Sequence, residues 1–530
     1  MFPTFKDACY SLGLLDDDNE YIDAIKEASS WQSASYLRRL FALLLFGNLM
    51  NRPENIWGKC WQFLSDDVLY RHRTIVGHPG KTFIWNTLSA SIRSKGEIVL
   101  NVASSGIASL LLLGGRTTHS RFRIPIQITE DSTCNIRQDS NIAELLAKTK
   151  LIIWDEAPMV HRFCFEALDK TLRDVLRFSD SSCVDKPFGG KVVVLGGDFR
   201  QILPVVPHGS RQDIVHATIN SSCLWSHCHL LTLTKNVRLS SGSDIHNLME
   251  IKEFSNWLLK VGDGVLGDDV DGESIITIPY ELLIKKSLNP LSDLMDFVYP
   301  NILDHILQPT FFKERVILTP KLADVSILNE NLMSLIPGDE RIYLSSDNIL
   351  KQDGNSSLED DEFSPEILNT FSCSGLPDHK LILKVKVPVM LLRNIDQSRG
   401  LCNGTRLLIT RLSNHVVEAT VLTESNIGEN VLIPRMTMSS SSHSFPVNFQ
   451  RRQFPLVVLF AMTINKSQGQ SLSHVGIYLP RPVFSHGQLY VALSRVKSKK
   501  GLKILIVDDD GCVTNNTFNI VYKEVFQRLL

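Results

Sequence analysis

Leu151-Ile152-Ile153-Trp154-Asp155-Glu156 and, further on, Val192-Val193-Val194-Leu195-Gly196-Gly197-Asp198-Phe199-Arg200-Gln201 each run from an unbroken apolar stretch into an acidic turn. A continuous Val/Ile/Leu run reads as a strand buried on both faces, and in such sheets chemistry gathers just past the strand's carboxyl end. Asp155 and Glu156 fall at that place, which marks a nucleotide-hydrolysing core. Asp155 would hold Mg²⁺ through water, Glu156 would polarise the attacking water, and Gln201 is a candidate sensor of the terminal phosphate. The bland alternative is a solvated acidic turn; a second strand ending at 198–201 favours the catalytic reading.

Outward from this pair, strand-like runs at 97–102 and 230–233 alternate with helical stretches such as 165–177, which argues a parallel α/β sheet across about 75–235. Upstream stands Gly77-His78-Pro79-Gly80-Lys81-Thr82, followed by a helical segment from Phe83. In a phosphate loop, glycines bring backbone N–H groups to the phosphates, Lys reaches the terminal phosphates and Thr binds Mg²⁺. This copy departs from the pattern: Ile75 stands where Gly is needed, and Pro79 withdraws one N–H donor. Residues 5–70 read as helical, and 353–366 as an acidic, Ser-rich loop. From 381 to 455, short alternating strands with turns suggest a small β-barrel-like module, and a second α/β pattern resumes with strands near 456–460, 475–479 and 502–507.

The chain has 530 residues, 43% hydrophobic and 21% charged, enough to bury several cores. Its formal net charge of −2 does not announce a nucleic-acid partner. Locally the balance shifts: 1–70 carries ten acidic and six basic residues, whereas 451–500 carries eight Lys or Arg and no Asp or Glu. The basic stretch suits a polyanion. Ten scattered cysteines without a Cys-x-x-Cys pair fit a reducing compartment. Cys223, His227, Cys228 and His229 cluster, but no second ligand pair follows, so a buried strand entry is the preferred reading over zinc. Residues 1–7 lack a basic region followed by an apolar segment, so no secretory signal is expected, and the longest apolar stretch, 40–46, is far short of the roughly 20 residues that span a bilayer. A soluble intracellular protein without a membrane partner is expected.

Several strings together resemble motifs of Pif-one-like DNA helicases, with a marked likeness to the plant helicases related to Helitron transposons. They are Asn101-Val102-Ala103-Ser104-Ser105-Gly106-Ile107-Ala108, Gly115-Arg116-Thr117-Thr118-His119-Ser120-Arg121-Phe122, Trp154 to Met159 and Leu195 to Pro204. Lys235 to Leu239, Leu401 to Arg406, Phe460 to Ser471 and Gln488 to Arg495 continue the match, which covers about 75–530. The resemblance implies an ATP- and Mg²⁺-dependent motor that moves 5′ to 3′ on single-stranded DNA and opens forked duplexes. The implied fold is α/β: two RecA-like P-loop domains with an SH3-like β insertion and an N-terminal helical segment. The corresponding ranges are 1–70 for the helical segment, 71–240 for the first RecA-like domain, 241–383 and 456–530 for the second, and 384–455 for the insertion.

Carried over by motif, Gly77, Gly80, Lys81 and Thr82 would bind the nucleotide, Thr82 and Asp155 the metal, and Asp155, Glu156 and Gln201 would serve hydrolysis. Arg238 and Arg495 resemble arginine fingers, the alternative for either being a surface salt bridge. DNA contacts would come from Thr118, His119, Asn403, Thr463, Lys466, Ser467 and Gln468, which suit phosphate holding without sequence reading. A nuclear monomer serving recombination, repair and telomere maintenance is what the resemblance implies. Two departures stand out. The apolar strand and Gln-containing adenine motif that relatives carry before the phosphate loop are missing, and Lys386 stands where relatives have Gly ahead of Pro388. Two alternatives stay open at this point: a DNA-binding descendant that cannot cradle ATP, and a nucleic-acid-sensing ATPase switch that does not unwind.

Overall fold

The structure is a computed structural model. It describes residues 19–29, single positions between 37 and 60, and 80–529 apart from 179, 235–244, 268, 271, 285–286, 351–363, 373–374, 397–398, 423–426, 440–447, 497, 509 and 528. Two units divide the chain, 1–84 with 233–241 and 85–232 with 242–530. In the first, helix Asn19–Ser29 buries Ile22, Ile25 and Ala28 in a cluster with Leu37, Ile56 and Cys60, the spacing of an amphipathic helix.

In the second unit, strands β1 (Ile98–Ala103), β2 (Arg116–Thr117), β3 (Thr149–Asp155) and β4 (Val192–Leu195) form a parallel sheet in the order β2-β1-β3-β4. The apolar runs at 151–154 and 192–195 are therefore neighbours, and their acidic turns open at the same sheet end. Helix Arg162–Leu176 packs Phe165, Leu168 and Leu172 into the core that holds Val102 and Trp154, the Trp154 and Phe165 ring centroids lying 4.3 Å apart. Residues 230–233, expected as a further strand, form none: Leu231 is 91% exposed, and among the described residues β4 pairs only with β3.

A second sheet is built from β5 (Arg315–Thr319), β6 (Ala461–Thr463), β7 (His474–Leu479), β8 (Leu502–Val507) and β9 (Val513–Thr514), ordered β6-β5-β7-β8-β9. All its pairings are parallel except β8 with β9. Helix Gln488–Leu493 lays Leu489, Ala492 and Leu493 against Val316, Leu318 and Ile477. The β insertion lies in the chain between β5 and β6. Five antiparallel strands, Asn430–Pro434, Val416–Val421, Arg406–Leu412, Pro388–Leu391 and Leu456–Val458, form one sheet of it in that order. A smaller sheet joins Met436–Ser439, Phe449–Gln453 and Ser346–Ile349. The fold is thus α/β with two parallel sheets and an inserted β module.

Lys386 is held in the left-handed region, φ 72°, in the turn before Pro388–Leu391, and its N–H donates to the Ile409 carbonyl at 2.8 Å. That conformation explains a preference for Gly at this position: a Cβ costs about 1 kcal/mol there. The strands on both sides still form, so the cost stays local. Lys386→Gly is expected to raise stability by roughly 1 kcal/mol, read as a higher urea midpoint at unchanged slope. A lower midpoint would overturn this account.

Candidate active site

β3 carries Asp155 and Glu156 to the sheet end, where they are 4% and 9% exposed. Glu156 turns with φ 53° into the short 3-10 turn Ala157–Met159, which Pro158 helps to fix. The turn is pinned from both neighbouring strands. The Ser104 N–H donates to the Asp155 carbonyl at 3.2 Å and its Oγ to the Glu156 carbonyl at 2.6 Å, while the Ala157 N–H donates to the Gly196 carbonyl at 2.8 Å. Gly196 is required by space: a Cβ would lie 2.2 Å from the Trp85 ring and 3.2 Å from Asp155 Oδ1. At Gly197 it would lie 2.0 Å from Pro158. The two glycines let the β4 turn close over the carboxylates.

Past those glycines, the 198–201 turn is gripped by elements of the second sheet. The Tyr490 hydroxyl donates to Asp198 Oδ2 at 3.0 Å, and Arg200 Nε donates to Asp263 Oδ1 at 2.6 Å. Burial, reinforced by the Asp198 carboxylate, raises the Tyr490 phenol well above its usual range, so it stays a donor. His486 is 1% exposed; its Nδ1 accepts from the Tyr522 N–H at 2.8 Å, so Nε2 carries the proton and donates to the Phe199 carbonyl at 2.8 Å. Burial pushes that imidazole down to about 4, which keeps it neutral. Gly487 has φ 68°, and a Cβ there would lie 2.2 Å from the Arg200 carbonyl oxygen. Gln201 Oε1 accepts from Gln468 Nε2 at 3.1 Å. Sequence reasoning missed Tyr490 and His486 as partners of this turn, although Tyr490 lay inside a quoted motif.

Arg495 is 7% exposed, with Nε on the Val491 carbonyl at 2.9 Å and Nη1 on the Gln470 carbonyl at 3.1 Å and the Ser467 carbonyl at 3.4 Å. In this conformation its guanidinium braces the 467–470 turn. In the other unit, Gly80 accepts from the N–H groups of Phe83 and Ile84 at 3.1 and 3.3 Å and so starts helix Lys81–Arg93. Lys81 and Thr82 occupy its first turn, where the helix dipole favours an anion. Gly77, Ile75, Pro79 and Arg238 lie outside the described residues.

Each donor set has its own chemistry: Lys and Thr at a helix start in one unit suit phosphate, and the paired carboxylates at a strand end in the other suit Mg²⁺. Mg²⁺ bound beside phosphates needs only one or two protein carboxylates.

The DNA candidates divide by exposure. His119 and Asn403 are exposed, Thr463 and Lys466 half-buried, and Thr118 and Ser467 fully buried. Ser467 Oγ donates to the Ile464 carbonyl at 2.7 Å. Burial lowers the Lys466 ammonium from its ordinary range, opposed by Asp378. The 402–404 turn of the β module sits on the start of helix Gly106–Leu110: a Cβ on Gly106 would lie 2.8 Å from the Asn403 carbonyl oxygen, and one on Gly404 2.5 Å from the Ile107 side chain. Gly469 approaches Ala108 of the same helix. The structure thus brings Asn403 and Gly469 to one helix beside the first sheet.

Comparison with known proteins gives one consistent result. The profile described as PIF1-like helicase matches residues 73–272, and that of the DNA helicase Pif1 2B domain matches 366–412. The chain is 27% identical over 459 residues to the ATP-dependent DNA helicase PIF1 of Danio rerio, covering 84% of this chain and 60% of that protein. It is 26% identical to the ATP-dependent DNA helicase RRM3 of Saccharomyces cerevisiae, covering 84% of this chain and 64% of the relative. The chain therefore spans less than two thirds of the length of these relatives. Among solved structures, that of two coordinating Pif1 helicases at forked double-stranded DNA matches with a TM-score of 0.54 at 25% identity, covering 80% of this chain and 85% of that one. The Pif1 helicase of Candida albicans matches in fold with a TM-score of 0.56 at 22% identity, covering 87% of this chain and 97% of that one.

Proposed function

The chain belongs to the PIF1-like helicase family, and from that premise we propose that it is an ATP-driven motor that moves 5′ to 3′ along single-stranded DNA and separates forked duplexes. The observation that supports this reading best is the grip of Tyr490 and His486 on the 198–201 turn, beside the buried Asp155 and Glu156. A motor needs one sheet's hydrolytic turn to be felt by the other, and these bonds join them. Lys81 and Thr82 bind the phosphates, Glu156 takes the proton of the attacking water, Gln201 senses the terminal phosphate, and Arg238 stabilises charge on it, joined by Arg495 only once its guanidinium leaves the Ser467 and Gln470 carbonyls that it holds in this conformation. Mg²⁺, when bound through Thr82 and Asp155, neutralises phosphate charge. His119, Asn403, Thr463 and Lys466 track the DNA backbone. The likeness to a helicase pair solved at forked DNA supports the fork as substrate. The motor works as a nuclear monomer in recombination, repair and telomere maintenance.

The sequence at Ile75 and Pro79 favours a second reading, a descendant that binds DNA without cradling ATP. ATP hydrolysis with and without single-stranded DNA, measured beside Lys81→Ala, decides between them. The motor reading expects DNA to raise the rate and Lys81→Ala to fall to background. Equal background rates in both proteins would leave the descendant. A 5′-tailed duplex then separates a motor from a switch, which would hydrolyse ATP without displacing a strand.

A further inference from the structure

Gln468 sits in the 463–470 segment, where Thr463 and Lys466 suit DNA phosphates, yet it is only 5% exposed. Its Nε2 is spent on Gln201 Oε1 at 3.1 Å, and its own Oε1 is buried without a hydrogen-bond partner among the described residues. A buried amide with one N–H committed to Gln201 is poorly placed to hold a DNA backbone. The segment around it is tied down from the same side: Gln488 Nε2 donates to Asn465 Oδ1 at 3.0 Å, and the Arg495 guanidinium holds the Gln470 carbonyl at 3.1 Å.

We propose that Gln468 is the positioning residue of the phosphate sensor: by donating to Gln201 Oε1 it fixes which end of the Gln201 carboxamide faces the nucleotide. The inference rests on the reading of Gln201 as that sensor. A carboxamide has one accepting end and one donating end. With Oε1 held by Gln468, the Gln201 NH₂ is the end left to meet a phosphate oxygen. Released, the amide can turn its oxygen to the phosphate, which repels it. The segment that carries the DNA-facing Thr463 and Lys466 thereby reaches the hydrolytic turn through one hydrogen bond.

Gln468→Glu tests this, because a carboxylate accepts only and draws the Gln201 NH₂ toward itself. At saturating single-stranded DNA, kcat for ATP should fall by roughly tenfold to a hundredfold, the weight of one hydrogen bond to a charged group, with KM for ATP little changed. Gln468→Met removes the bond without burying a charge and should lower kcat less, which keeps the test valid if the Glu variant does not fold. In a Gln201→Leu background neither change should lower kcat further. For the uncharged Gln468→Met, the affinity for a fluorescent oligothymidine without nucleotide should hold within about twofold, since no phosphate contact is lost. Weaker oligothymidine binding with kcat intact at saturating DNA, or additive losses with Gln201→Leu, would overturn the proposal. Should the parent chain lack Lys81-dependent hydrolysis, the motor reading fails, and the oligothymidine affinity still decides whether Gln468 is a DNA contact.

Discussion

Replacing Glu156 by Gln is expected to lower DNA-stimulated ATP hydrolysis by roughly a hundredfold to a thousandfold, the contribution of a positioned general base, while single-stranded DNA binding persists. The substitution keeps size and shape, and the backbone is held independently of the side chain. Ser104 Oγ on the Glu156 carbonyl and the Ala157 N–H on the Gly196 carbonyl both survive it. What goes is the ability to take a proton from water. Steady-state hydrolysis at saturating ATP and DNA, with oligonucleotide binding in parallel, is the measurement. A Gln variant that kept more than about a tenth of the parent rate would remove Glu156 from the chemistry, because a base contributes at least about a hundredfold.

Strands whose apolar runs are unbroken were legible in the sequence. The runs at 151–154 and 502–507 are largely buried strands because a parallel sheet covered on both faces asks only for continuous Val, Ile and Leu, whereas 192–195 forms its strand at the sheet edge with Val192 57% exposed, so the expectation of burial on both faces fails there. The run at 230–233 satisfies the same rule and forms no strand, since pairing depends on a neighbour that no local pattern reports. The acidic strand ends were legible too, and so was Gly196, although its reason was not: it makes room for Trp85, a residue of the helix that starts at Lys81. Bonds that cross long stretches of chain left no trace. Tyr490 on Asp198, Gln468 on Gln201 and His486 on Phe199 join motifs readable singly but not as partners. Likewise, Ser346–Ile349 pairs with Phe449–Gln453, although the β pattern of the sequence begins only near residue 381.

That last pairing carries the second large effect. Asp347 and Arg451 stand opposite each other in the small antiparallel sheet, and both side chains are fully buried. Arg451 Nη2 meets Asp347 Oδ2 at 2.6 Å, and its other donors reach the carbonyls of Leu368, Phe371 and Pro377 at 2.9, 3.0 and 3.1 Å. Asp347 also accepts from Ser345 Oγ at 2.6 Å. Such a pair adds little over a well-packed apolar replacement, but breaking it strands a charge out of water. Asp347→Ala should therefore destabilise the module by about 3–5 kcal/mol. Arg451→Met should cost as much or more, because it also orphans three carbonyls. The double variant should lose clearly less than the sum, since neither charge is then left alone. Hydrogen exchange locates the damage. Protection should fall in Phe449–Gln453 and Met436–Ser439, while Arg406–Leu412 keeps its own, because that strand belongs to the five-stranded sheet. Arg406 further anchors the larger sheet from within, donating to the carbonyls of Phe312, Lys313 and Arg315 and to Gln470 Oε1 at 2.6 Å. A loss below about 1 kcal/mol on Asp347→Ala would mean that water reaches Arg451 and that the pair is no more than a surface bridge.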